Sequence, residues 1–224
     1  MYYRDSEQNS FMTSAVRWIL TANLIFFGLQ FIRGEFLRYW LALWPNMEPI
    51  VVRLNAWETI ELNAFRPWQL VTYAFLHSTV SFGHIFFNML ALWMFGQSVE
   101  RELGTRRFVI YYFVCIVGAG ICHLAYAWTA GSVVPVVGAS GGVFGLLLAY
   151  GWMFPREKVL LLFFPVPIEA RYFVVLYGLL ELFNGLSRTG SGVAHFAHLG
   201  GMLFGIIILL IWHRRPPKMG RWDS

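Results

Sequence analysis

Six runs of apolar residues, at positions 15–32, 83–99, 108–128, 140–154, 172–183 and 193–212, follow one another through this chain of 224 residues and restrict its fold more than any other feature. Several reach or approach the roughly 20 residues a helix needs to cross a hydrocarbon core of about 30 Å. Composition agrees: 58% hydrophobic and only 13% charged residues is far too apolar for an ordinary soluble domain. The expected fold is all-α, a polytopic six-transmembrane-helix bundle over 15–213 between tails at 1–14 and 214–224. The fifth run has a longer apolar approach, beginning at Val159. The segment 33–69 mixes Trp40, Trp44, Trp57 and Trp68 with Arg38, Glu48, Arg53, Glu58, Glu61 and Arg66, which suits a first loop lying at headgroup level rather than a span.

The net charge of +5 does not indicate nucleic acid, because the basic residues are scattered between apolar runs and gathered at the C-terminus. They report topology instead. With both ends cytoplasmic, the inner side carries Arg4, Arg17, Arg101, Arg106, Arg107, Arg156, Lys158, Arg171, Arg214, Arg215, Lys218 and Arg221, leaving Arg33, Arg38, Arg53, Arg66 and Arg188 outside. A multi-pass protein of a cell (inner) membrane is expected. Cys115 and Cys122, seven apart in one run, would lie about 10 Å apart on a helix and read as packing residues, not a disulfide. The polar start, residues 1–10, shows no short apolar core with a cleavage site, so neither signal nor transit peptide is expected.

On this topology the second, fourth and sixth runs descend from the same side. Ser140, His198 and His84 each stand 16 residues ahead of their inner marks, Arg156, Arg214 and Glu100. At about 1.5 Å per residue all three lie about 24 Å above the inner boundary. Asn88 is one turn deeper. Polar groups at that depth are costly unless they face one another or water, which points to a shared cavity open outward. Gly141 with Gly145, and Gly201 with Gly205, have the spacing that lets membrane helices approach closely, which would carry His198 toward Ser140.

A serine and a neutral histidine so placed permit nucleophilic acyl transfer, with His198 as general base and then general acid. His84 and Asn88, at i and i+4, can donate to an oxyanion, and the Ser140 backbone N–H adds a third donor. The only aspartates, Asp5 and Asp223, lie at the ends, and no carboxylate is expected at the serine's depth, so a Ser-His dyad follows. Glu181 is read as pairing or snorkelling at the interface, with tuning of a substrate gate as the lesser reading. His195 is read as lining the cavity mouth rather than binding metal, His77 as a structural or rim residue, and His123 as a packed interhelical histidine.

These residues resemble the rhomboid family of intramembrane serine proteases. The resemblance rests on His84-Ile-Phe-Phe-Asn88, on Gly138-Ala-Ser-Gly141, on Ala197-His-Leu-Gly-Gly201 and on Gly96-x-x-x-Glu100-x-x-x-Gly104, in that family's order along nearly the whole chain. It implies Ser140 as nucleophile, His198 as base, His84 and Asn88 as oxyanion stabilisers, and single-pass membrane proteins as substrates, cut in or near their spans. Gly138, Gly141 and Phe144 would support the site, with no metal and no cofactor. Two positions depart from the pattern of some members of that family: Trp68-Gln69 stands where a Trp-Arg pair is familiar, and Phe144 stands where a tyrosine can pack on the histidine. Oligomeric state is not legible. Against this reading stand a soluble G-x-S-x-G hydrolase, excluded by composition, and an aspartyl intramembrane protease, which needs two aspartates in spans. A catalytically silent rhomboid-like protein that binds transmembrane helices is the serious rival.

Overall fold

In the computed structural model, residues 12–53, 59–161, 164–187 and 192–214 are described. The outer parts of both tails, 1–11 and 215–224, and Arg188 of the outward set fall outside them. The chain is mostly helical. Its elements are α1 (Ser14–Leu41), β1 (Ile50–Arg53), β2 (Thr59–Leu62), α2 (Gln69–Thr72), α3 (Phe82–Leu103), α4 (Thr105–Ala130), α5 (Ser140–Met153), β3 (Lys158–Leu161), β4 (Phe164–Glu169), α6 (Ala170–Leu186) and α7 (Gly192–Arg214). A 3-10 turn at Tyr73–Phe75 follows α2.

Helices α1, α4 and α7 are each long and apolar enough to cross a membrane. Helix α5, with 14 residues, covers only roughly 21 Å and is too short to do so alone. Its first residue, Ser140, is reached by the loop that follows α4. That loop is held by backbone: Leu43 and Val136 exchange hydrogen bonds at 3.1 Å each way, and Gly138 N–H donates to the Tyr73 carbonyl at 3.0 Å.

Two expectations are corrected. The first helix does not end at 32; it continues to Leu41 through non-helical dihedrals at Arg33, and only then does the first loop begin. The apolar approach from Val159 is not helix but the antiparallel hairpin β3–β4, paired Lys158 to Glu169, because Pro165 and Pro167 withhold helical N–H donors there. A second hairpin, β1–β2, pairs Ile50 with Leu62. The first loop is pinned by the buried amide of Gln69, whose Oε1 accepts from Trp44 N–H at 3.3 Å and Arg66 N–H at 3.1 Å. The residue that departs from the family pattern thus ties the loop to the end of α1.

At the opposite end, Glu100 on α3 joins three helices. Its carboxylate accepts the backbone N–H of Ala15 at 3.0 Å and of Val16 at 2.9 Å, and the Thr105 hydroxyl at 2.8 Å. Thr13, the residue before α1, makes no side-chain cap, so a carboxylate from another helix satisfies the orphan donors of the first turn.

The core lies where α4, α5 and α7 meet. A Cβ at Gly201 would run into the carbonyl of Gly141, so those two backbones touch without a side chain between them. The remaining glycines of the two pairs serve α4: Gly145 sits against Cys115, and Gly205 against the Tyr111 hydroxyl. Tyr111 O–H also donates to the Gly145 carbonyl at 2.7 Å, and Cys115, Tyr111 and Tyr112 are fully buried.

Candidate active site

Ser140 is the first residue of α5, where backbone N–H groups of the opening turn have no helical acceptor. His198 stands on α7, three residues before Gly201, on the face that the Gly201–Gly141 contact presses against α5. The contact brings the two together: the Ser140 hydroxyl and His198 Nε2 are 2.8 Å apart. Phe144, one turn along α5, stacks on the imidazole at a centroid distance of 4.2 Å and 7° between planes. The ring is fixed in plane as well as in position.

His84 reaches the same place from α3. Its Nδ1 accepts the Ser78 backbone N–H at 3.2 Å, so the proton of the neutral ring belongs on Nε2. That nitrogen lies against Gly138, where a Cβ would stand 2.8 Å from it and 3.8 Å from Ser140 Oγ. Gly138 has φ 128°, a conformation that disfavours any side chain. The glycine before the serine is thus required twice, by backbone angle and by the space His84 occupies. Asn88, buried one turn further, donates an amide N–H to the His84 carbonyl at 2.7 Å; the structure ties it to its own helix rather than to Ser140. Beside His84, His77 packs with ring centroids 5.1 Å apart. Burial, reinforced by His84, pushes the His77 imidazole down to about 3, so this ring stays neutral.

The expectation that no carboxylate reaches this depth is overturned. Glu181, on α6, is 7% exposed, and its Oε2 accepts His198 Nδ1–H at 2.9 Å and His195 Nδ1–H at 2.6 Å. Of the two forms expected for this residue, pairing holds and snorkelling does not: its partners are His198 and His195. The three residues bring one ligand atom each within 4.8 Å of one another, a set that suits a metal by type. Here hydrogen bonds join them, and the second nitrogen of His198 is engaged by Ser140.

Chemically, the arrangement is a hydroxyl against a base, with the serine's own backbone N–H at the helix start and an imidazole N–H beside the preceding glycine. The model of the family described as Rhomboid domain matches residues 64–215, most of the chain. The chain belongs to the rhomboid family. It is 34% identical over 161 residues to the mitochondrial Rhomboid protein 1 of Saccharomyces cerevisiae, covering 66% of this chain and 45% of that one. It is 26% identical over 209 residues to Rhomboid-like protease 3 of Toxoplasma gondii, covering 93% and 73%. With Rhomboid protease GlpG of Salmonella the identity is 24% over 202 residues, covering 88% and 62%. The chain spans less than half the length of the yeast relative.

Within this rhomboid domain, Glu181 had a signal in the sequence. Helices α6 and α7 are antiparallel neighbours, and Gly185 lies against His195 and Phe196 while Gly178 lies against Met202. Counting outward from the connection between them places Glu181 level with His198. Depth measured only from the inner ends of the even-numbered runs leaves that residue out.

Proposed function

We propose that the protein is an intramembrane serine endopeptidase that cleaves transmembrane proteins in or near their spanning segments. The observation that carries this reading is the 2.8 Å contact between Ser140 Oγ and His198 Nε2, at the end of a loop tied by backbone hydrogen bonds to Leu43 and Tyr73. Ser140 attacks the scissile carbonyl carbon while its proton passes to His198 Nε2. The carbonyl oxygen becomes an oxyanion, met by His84 Nε2–H, by the second amide N–H of Asn88 and by the Ser140 backbone N–H. His198 then gives its proton to the leaving amine, and water, deprotonated by the same nitrogen, releases the acyl group from Ser140. Phe144, Gly138 and Gly141 hold this geometry.

The depth count from the charged inner ends supports an attack below the membrane face, so the substrate is a membrane segment whose helix unwinds there, since a helix engages its own carbonyls. The Lys/Arg bias supports both termini on the cytoplasmic side of a cell membrane, with the site opening to the opposite face.

The test uses purified protein and a single-pass membrane substrate. Ser140→Ala and His198→Ala are expected to abolish cleavage while the thermal transition is kept, and a chelator is expected to leave cleavage unchanged. Cleavage surviving Ser140→Ala, or stopped by the chelator, would contradict the mechanism. Substrate bound but never cut by the wild type would mark a helix-binding scaffold.

A further inference from the structure

Resting on that reading, we infer that Glu181 is a positioning residue for His198, which makes the reacting group a Ser140–His198–Glu181 relay drawn from three helices rather than a two-residue pair. The contacts form an unbroken line: Ser140 Oγ to His198 Nε2 at 2.8 Å, and His198 Nδ1 to Glu181 Oε2 at 2.9 Å.

The chemistry asks for such a group. A neutral imidazole has two tautomers, and only the one with its proton on Nδ1 leaves Nε2 free to take the serine proton. An acceptor at Nδ1 selects that tautomer, and Glu181 Oε2 is the acceptor placed there. As the proton arrives, the ring becomes an imidazolium in surroundings of low dielectric, where a carboxylate about 3 Å away offsets the new charge far better than water would. Glu181 does not take the proton; it holds the ring and balances it.

His195 supplies the second half of the device. Its Nδ1–H donates to the same Oε2 at 2.6 Å, which fixes the carboxylate from α7, the helix that carries His198. Residues at i and i+3 of one helix therefore clamp a single oxygen from its neighbour. Tyr177, one turn from Glu181 on α6, stacks on Phe144 at 5.3 Å, and Phe144 stacks on His198. Helix α6 thus touches the base by its edge through Glu181, and by its face through Tyr177 and Phe144. A carboxylate with a purely structural task, joining α6 to α7, would need only His195.

The experiment measures kcat and KM for cleavage, and thermal unfolding, in the wild type, Glu181→Gln, Glu181→Asp and Ser140→Ala. The isosteric amide removes the charge and can turn an N–H toward Nδ1, favouring the wrong tautomer. Its kcat is expected to fall by up to about 10⁴-fold, the loss that replacing a relay carboxylate by its amide produces, with KM within about twofold. Aspartate keeps the charge but withdraws the oxygen by one methylene, and its kcat is expected between those of Glu181→Gln and the wild type, about tenfold below the latter. If Glu181→Gln does not hold the fold, Glu181→Asp decides alone: lowered kcat at unchanged KM supports the relay. Wild-type kcat in whichever of the two variants folds would overturn it. Ser140→Ala separates the two readings. Full cleavage without the serine sinks the protease itself, whereas a dead Ser140→Ala beside a fully active Glu181→Gln sinks only the relay.

Discussion

The seam of α4, α5 and α7 and the edge formed by α6 are built in opposite ways. In the seam, backbones touch at Gly141 and Gly201, and tyrosine hydroxyls at positions 73 and 111 donate to the carbonyls of Ile116 and Gly145. Along α6 the large side chains of Tyr172, Val175, Leu176, Leu179, Leu180, Phe183 and Leu186 are exposed, and only Ala170, Phe173, Val174, Glu181 and Gly185 are buried. The difference teaches where precision is needed. On the proposed mechanism oxygen and base must stay within hydrogen-bond reach, and they sit on closely packed elements, which resist small shifts. The helix on the edge presents its apolar face outward to lipid and sends inward a carboxylate and a ring.

The most damaging change to the seam is Gly201→Val. Its side chain would have to displace the Gly141 backbone, and overpacking of that kind costs about 1–3 kcal/mol before any strain on the site. Loss of all measurable cleavage with a lowered thermal transition is expected; a working variant would show that the seam is not tight. His84→Ala tests the donor beside Gly138. A drop of about 10²–10³ in kcat with KM nearly unchanged is expected, since such donors act in the transition state. Equal losses in binding would give His84 a structural role instead. Glu100→Gln probes the junction of α3 with α1 and α4, the last of which belongs to the seam, and is expected to lower stability by about 1.5–3 kcal/mol through lost charge-assisted bonds. Activity in the fraction that remains folded should be that of the wild type. At the edge, Leu179→Ala should change unfolding by no more than about 0.5 kcal/mol, the usual range for an exposed position. A fall comparable to Glu100→Gln would erase the contrast between seam and edge.

Most of the fold was legible because apolar runs separated by charged or glycine-rich breaks report helices directly. The residues of the candidate site stood out for a related reason: Ser140, His198 and His84 are polar groups within apolar runs, where polarity would be costly in a membrane. Three things escaped. The helical stretch beyond Arg33 carries enough charge and tryptophan to read as a loop, although tertiary contacts at Trp44 and Gln69 keep it helical to Leu41. The β3–β4 hairpin looks like the start of an apolar helix until its prolines are weighed. Glu181 was visible as an unexplained charge, but its partner lies across a helix pair whose register only the fold supplies.

The central claim is that the hydroxyl of Ser140 is activated by His198. Peptide mapping by mass spectrometry after treatment with a fluorophosphonate tests it without any known substrate. A single adduct on Ser140, absent from His198→Ala, is the predicted result. An unmodified Ser140 in the folded wild-type protein, or equal labelling in His198→Ala, would contradict it.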